Sequence, residues 1–227
     1  MKKLYFLFFV LALAIGSIST LSCGIGNFNF KNTGGIQGSG NAKQETRNLS
    51  GFDKIEASGA VKTEITVGKD FSVTVEADDN LLQYIKTDVS GDTLKIYNAD
   101  RISPKTKINV KISMPELTKI DVSGASTALA TNVNGDSLEL KASGASGIKI
   151  DGETKDLNAE ASGASTIDAE NLKSENADVD SNGASTITVS PSGDLKAEAS
   201  GASNVYYTGE PQNIKQDSSG ASSIKKK

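Results

Sequence analysis

Ser123-Gly124-Ala125-Ser126 returns as Ser143-Gly144-Ala145-Ser146, Ser162-Gly163-Ala164-Ser165, Asn182-Gly183-Ala184-Ser185, Ser200-Gly201-Ala202-Ser203 and Ser219-Gly220-Ala221-Ser222. Its glycines stand 20, 19, 20, 18 and 19 residues apart, and an earlier copy lies at Ser58-Gly59-Ala60. A short phrase recurring at a nearly fixed period of this length marks a solenoid, in which each repeat stacks on its neighbours. An antiparallel sandwich also has short strands and turns, but it does not predict the same tripeptide at a fixed period.

Aligned on the glycine, even offsets are mostly apolar and the residues between them mostly polar. Four before it stand Ile55, Ile120, Leu140, Ala159, Val179, Ala197 and Gln216. Four after it stand Thr63, Ala128, Ile148, Ile167, Ile187, Val205 and Ile224. Period-two alternation on both sides of a glycine reads as strand, corner, strand. Glycine admits the positive φ of a tight corner. The alanine that always follows it is expected inside, where converging strands leave little width. About 19 residues at ~3.3 Å each give roughly 60 Å of path, one circuit of a slender coil. Stacked circuits pair as parallel strands, whose crossovers are almost always right-handed. The expected fold is all-β, a right-handed parallel β-helix with rungs of about 19 residues.

The 227 residues include 22 glycines, no Trp and no His, and only 5% are aromatic. So few large side chains suit a coil whose rungs pack only on their neighbours. Residues 1–22 read as an export signal: Lys2-Lys3, an apolar run over 4–15, then small residues. Cys23 is the only cysteine, and an exported thiol with no partner calls for a use other than a disulfide. Leu21-Ser22-Cys23-Gly24 is similar to a bacterial lipobox, with Thr20 where an aliphatic residue is usual. That similarity implies cleavage before Cys23, acylation of its thiol, and a membrane tether without a span. Loss of residues 1–22 removes two lysines and no acid, taking the net charge from −4 to −6, which disfavours nucleic acid as a partner. Residues 23–44, rich in Gly and Asn, are expected to form a flexible tether.

Residues 45–227 read as a single solenoid domain. Over 45–115 the strands are irregular, with one short helix or turn over 78–86, and this part is either a wider start of the coil or a small cap. Over 116–227 the repeats are regular. Ile224-Lys225-Lys226-Lys227 brings no capping element, so either its charge discourages end-to-end pairing or another copy or partner covers that end.

Gly38-Ser39-Gly40-Asn41 and residues 45–55 (Glu-Thr-Arg-Asn-Leu-Ser-Gly-Phe-Asp-Lys-Ile) closely resemble the opening of the auto-transporter adhesin head GIN domain family. So do Val75-Glu76-Ala77-Asp78-Asp79-Asn80-Leu81-Leu82, Gly91-Asp92-Thr93-Leu94 and Met114-Pro115-Glu116-Leu117-Thr118-Lys119-Ile120. The resemblance covers nearly all of the chain after Cys23. It implies a right-handed β-helix with two main sheets, the Ser-Gly-Ala repeats forming the tight turn between them. It also implies a bacterial envelope setting and a role in adhesion.

With no histidine, Ser-His-Asp and Cys-His catalysis and His-ligated metals are excluded, and no phosphate-binding loop is present. Serines flanking the corners, such as Ser143, Ser146, Ser162, Ser165, Ser200 and Ser203, lack a base and suit hydrogen bonding from rung to rung. Three before the corner glycines Gly59, Gly124, Gly144, Gly163, Gly183, Gly201 and Gly220 stand Glu56, Asp121, Lys141, Glu160, Asp180, Glu198 and Asp217. Stacked about 4.8 Å apart, the six acids form a stripe for divalent cations or a basic partner, or simply a solvated face. Lys54, Lys119, Lys196 and Lys215, two residues earlier, are placed to neutralise much of it. Carboxylates repeated on every rung differ from a catalytic pair, which would break the pattern at one place.

The function expected is a non-catalytic, lipid-anchored envelope protein of the outer membrane, binding a glycan or protein ligand, with no cofactor and no metal. A periplasm-facing structural or signalling component is the alternative, since no acidic run follows Cys23 to direct export to the surface. A carbohydrate-active enzyme comes third. Assembly with further copies is left open.

Overall fold

A computed structural model describes residues 34–227. The export signal, Cys23 and positions 24–33 of the tether lie outside the described residues. The strands are β1 (Ile36–Gln37), β2 (Ala42–Arg47), β3 (Lys54–Ala57), β4 (Lys62–Val67), β5 (Ser72–Asp78), β6 (Ile85–Ser90), β7 (Thr93–Asn98), β8 (Ile102–Ser103) and β9 (Asn109–Met114). They continue as β10 (Lys119–Val122), β11 (Thr127–Ala142), β12 (Gly147–Ala161), β13 (Thr166–Ser181), β14 (Thr186–Pro191), β15 (Asp194–Ala199), β16 (Asn204–Tyr207), β17 (Asn213–Ser218) and β18 (Ser223–Lys226). One 3₁₀ turn, Leu82–Tyr84, falls inside the expected short helix or turn.

The chain winds as a parallel β-solenoid of about 5 turns. Segments leading into a corner stack as a front sheet: β7, β3, β10, the second halves of β11, β12 and β13, then β15 and β17. Segments leaving it stack as a back sheet: β9, β4, the first halves of β11 to β13, then β14, β16 and β18. Equivalent repeat positions pair in register, as in Ile120↔Leu140, Leu140↔Ala159 and Ala159↔Val179. Each long strand bends once more between the sheets, and every register shift falls there: Ala130/Val133, Lys149/Asp151 and Asp168/Lys173. Asn132 (φ 61°) and Gly152 (φ 131°) take the unusual backbone angles at that bend. The 18–20 residue variation in rung length is absorbed there, so the glycine corner stays in register.

At the corner, all seven repeat glycines have φ between 71° and 100°. Their backbones stack closely: a Cβ on Gly163 would lie 2.7 Å from the oxygen of Gly144. Ala145, Ala164, Ala184, Ala202 and Ala221 each donate an N–H to the glycine carbonyl one rung back at 2.7–2.8 Å. The alanines themselves are exposed, which corrects the expectation that they line the interior. The next residue turns inward instead, and Ser126, Ser146, Ser165, Ser185 and Ser203 are buried. The hydroxyls of Ser146, Ser165, Ser185 and Ser203 reach back one rung to a backbone carbonyl, as in Ser146 Oγ to Val122 O (3.1 Å), Ser165 Oγ to Ala142 O (3.0 Å) and Ser185 Oγ to Ala161 O (3.1 Å), whereas Ser126 Oγ accepts the Val61 N–H. A serine satisfied in this way can occupy a tight interior that an unpaired polar group could not. Ile120, Leu140, Ile148, Ile167, Val179 and Ile187 fill the interior between the sheets.

The expected tether is corrected over its described part. β1 pairs with β8, and β2, beginning at Ala42, pairs antiparallel with β5. Buried Asp78 ties this segment down: its carboxylate accepts N–H bonds from Gly40 (2.7 Å), Lys105 (2.8 Å) and Thr106 (3.1 Å). Residues 45–115 belong to the same coil, with antiparallel edge pairs β6–β7, β5–β9 and β2–β5 added to it. At the other end every residue of β17 is exposed, Ile214 to 46%.

Candidate functional site

Alternation turns the residues three and one before each corner glycine outward on the front sheet. Pairing brings the predicted stripe together as one column, Glu56↔Asp121↔Lys141↔Glu160↔Asp180↔Glu198↔Asp217. Beside it runs a second column with Ser143, Ser162, Asn182, Ser200 and Ser219. Two depressions lie along these columns, one of about 220 Å³ from Asp121 to Asn182 and one of about 260 Å³ from Asp180 to Ser219. They share Asp180 and Asn182, so the two columns border one shallow groove. Asn182 Nδ2 donates to Asp180 Oδ1 at 2.7 Å, and Ser200 Oγ donates to Asn182 Oδ1.

Of the four lysines expected to neutralise the stripe, Lys196 reaches one of its acids, Glu198, among the described residues, and Lys95 reaches Glu56 at 3.4 Å. Lys54 pairs with Asp92 (2.7 Å), and Lys119 with Glu139 (3.1 Å). Lys141, the one base in the stripe, bridges Glu139 (2.9 Å) and Glu160 (3.1 Å). Those carboxylates, Glu139 first, hold the Lys141 ammonium above its ordinary value. Lys196 joins Asp178 and Glu198, both at 3.2 Å. Asp121, Asp180 and Asp217 have no ion pair among the described residues. Burial pushes the Asp121 carboxyl up, and Glu56 on the adjacent strand adds to the shift against Lys119 and Lys141. Carboxylates one rung apart form a line rather than a cage. Among the described residues no three metal-ligating side chains converge on one point.

A depression of about 370 Å³ beside the first corner escaped the sequence reading. Ala60, Ala125 and Pro104 line it together with Lys62, Lys105 and Lys107. Lys62 is tied to Glu64 at 2.5 Å. No periodic signal marks this group, because residues 104–107 reach the corner through the topology of the irregular part. Among the described residues no helix is long and apolar enough to cross a membrane.

The fold has known counterparts. A "putative adhesin" from Bacteroides fragilis NCTC 9343 superposes with a TM-score of 0.70 at 18% identity, covering 85% of this chain and 100% of that one. A "putative adhesin" from Parabacteroides merdae ATCC 43184 gives 0.57 at 17% identity, over 85% and 98%. A "putative lipid binding protein" from Parabacteroides distasonis ATCC 8503 gives 0.52 at 22% identity, over 85% and 99%. At these identities the likeness is one of fold. No curated protein matches the chain. A family model matches residues 51–211, most of the described fold, and the chain belongs to the family described as "Putative auto-transporter adhesin, head GIN domain".

Proposed function

We propose that the chain is a non-catalytic envelope lipoprotein, anchored through Cys23, whose front sheet is an extended adhesive surface for a glycan or protein ligand. The observation that carries this reading is the groove between the acidic and the Ser/Asn columns. Nearly every rung offers a carboxylate and a hydroxyl again, about 4.8 Å apart, with Lys141 and Asn182 standing in at one rung each. Such an array suits an extended polyhydroxylated or cationic ligand, which gains strength from many equivalent weak contacts. Catalysis would instead call for two unlike carboxylates set apart from the pattern.

The test has two arms. Intact cells are labelled with an antibody to the repeats before and after external protease, and the purified chain is applied to a glycan array with and without Asp180→Asn/Asn182→Ala. Labelling that protease abolishes, with array signal lost in the variant, supports the proposal. Labelling only after the outer membrane is broken favours a periplasm-facing structural role. Cleavage of an arrayed polysaccharide favours an enzyme.

A further inference from the structure

β6 forms the free edge of the front sheet, and among the described residues it pairs only with β7. Its sequence is Ile85-Lys86-Thr87-Asp88-Val89-Ser90. Three observations meet on this strand. Lys86 has no ion-pair partner among the described residues. Asp88 is exposed and holds only the Tyr97 hydroxyl, at 2.8 Å. Thr87 is 8% exposed, yet its buried Oγ1 has no hydrogen-bond partner among the described residues. Leaving a buried hydroxyl unpaired is unfavourable, and of the four such hydroxyls among the described residues, on Thr63, Thr87, Thr106 and Ser174, that of Thr87 is the one on this free edge strand.

We infer that β6 is a self-pairing edge, and that two copies of this chain join antiparallel across a two-fold axis at Thr87. In that register Lys86 of each copy lies opposite Asp88 of the other, Ile85 lies opposite Val89, and the two Thr87 side chains face each other. Directly opposed residues in an antiparallel pair have Cβ atoms about 5 Å apart, close enough for an ion pair or a Thr–Thr hydrogen bond. Every group left unsatisfied on the isolated edge then finds a partner. The outer-face column also extends sensibly. Asp88 pairs with Lys95, and Lys95 with Glu56, so a Lys86 from the second copy continues the alternation of charge. A self-complementary patch of this kind is what a two-fold dimer requires. Of the other open edges, β2 lacks the pattern, carrying Lys43 and Arg47 symmetrically about Glu45. β17 carries Lys215 and Asp217 about Gln216, but among the described residues no buried side-chain atom without a partner lies on it.

The test is sedimentation of the mature chain in mild detergent at about 100 µM, a concentration suited to a small interface. The wild type sediments as a dimer. Lys86→Asp and Asp88→Lys each set like charges opposite one another twice per dimer. Each variant dissociates, its dissociation constant raised roughly tenfold or more, while its circular dichroism is unchanged. Mixed one to one, the two variants associate as a heterodimer, because the paired acids on the edge of one then face the paired lysines on the edge of the other. A monomeric wild type, dimerisation of either variant alone, or a mixture that stays monomeric would overturn the inference.

Discussion

From Gly124 to Gly220 every rung closes with the same corner: a positive-φ glycine, an exposed alanine, and a serine turned inward, bonded one rung back at most of them. In residues 34–115, β3, β4, β7 and β9 stack in parallel as the repeats do, but much of the rest is held differently. Val61 takes the serine's buried place, β2, β5 and β6 run antiparallel, and a buried carboxylate pins two loops. The repeats gain order from translation, since one good contact is reused at each step. The first part must finish a stack that would otherwise expose its interior, and it does so with one-off contacts. A solenoid thus divides into a readily extended body and a specialised end.

The sharpest way to break this contrast is at the stacked glycines. Gly163 has φ 74° and no room for a Cβ, whereas Gly91 has φ 62° and nothing within 4 Å of one. Gly163→Ala combines left-handed backbone strain with a backbone clash, so roughly 3 kcal/mol or more of stability is lost. Gly91→Ala carries only the strain, about 1–2 kcal/mol. Urea denaturation of the two variants separates the two costs, and equal losses would mean the stacking distance is unimportant.

Asp78 tests the specialised end. Although burial opposes ionisation, backbone N–H donors from Thr106, Lys105 and Gly40 hold its carboxyl below the ordinary 3.8. A carboxyl depressed in the folded state contributes stability above its unfolded pKa, and that contribution fades as pH falls through the lower folded value. Asp78→Asn should lower Tm by roughly 5 °C at pH 7, with the gap to wild type narrowing below pH 3.8. A gap independent of pH would remove the carboxylate from the explanation.

Smaller effects belong to the body. Ser165→Ala removes hydroxyl bonds to Ala142 O (3.0 Å) and Ser162 O (2.8 Å). The Ala142 carbonyl keeps the Ser162 N–H, so the cost is about 1 kcal/mol. Lys141→Met breaks two partly exposed ion pairs and costs about 1 kcal/mol or less, a difference that salt reduces. Denaturation with and without about 1 M NaCl checks it.

The body was legible because its determinants are local and repeated. Alternation located Ile120, Leu140, Ile148 and Ile167, and the glycine period located the corner. The stripe was legible for the same reason, since equal offsets become neighbours once the period is accepted. The corner alanines were misread as interior, although their odd offset from the glycine already places them on the outward phase. The serines two after each glycine keep the inward phase shared by Ile148 and Ile167.

Residues 34–44 were read as a tether because Gly and Asn predominate there. What holds them is a carboxylate 38 residues away from Gly40, a contact with no signature in composition. The pairing of Lys141 with Glu139 and Glu160, the lysine-lined depression beside Ala60 and the open edge at Thr87 are of the same kind. The sequence by itself determined the coil, its rung length, its corners and its outward acidic column, because translation turns a one-dimensional period into stacking. Only the tertiary structure decided how the coil begins, which charges meet and which edge is left unpaired, because those depend on contacts between segments that share no period.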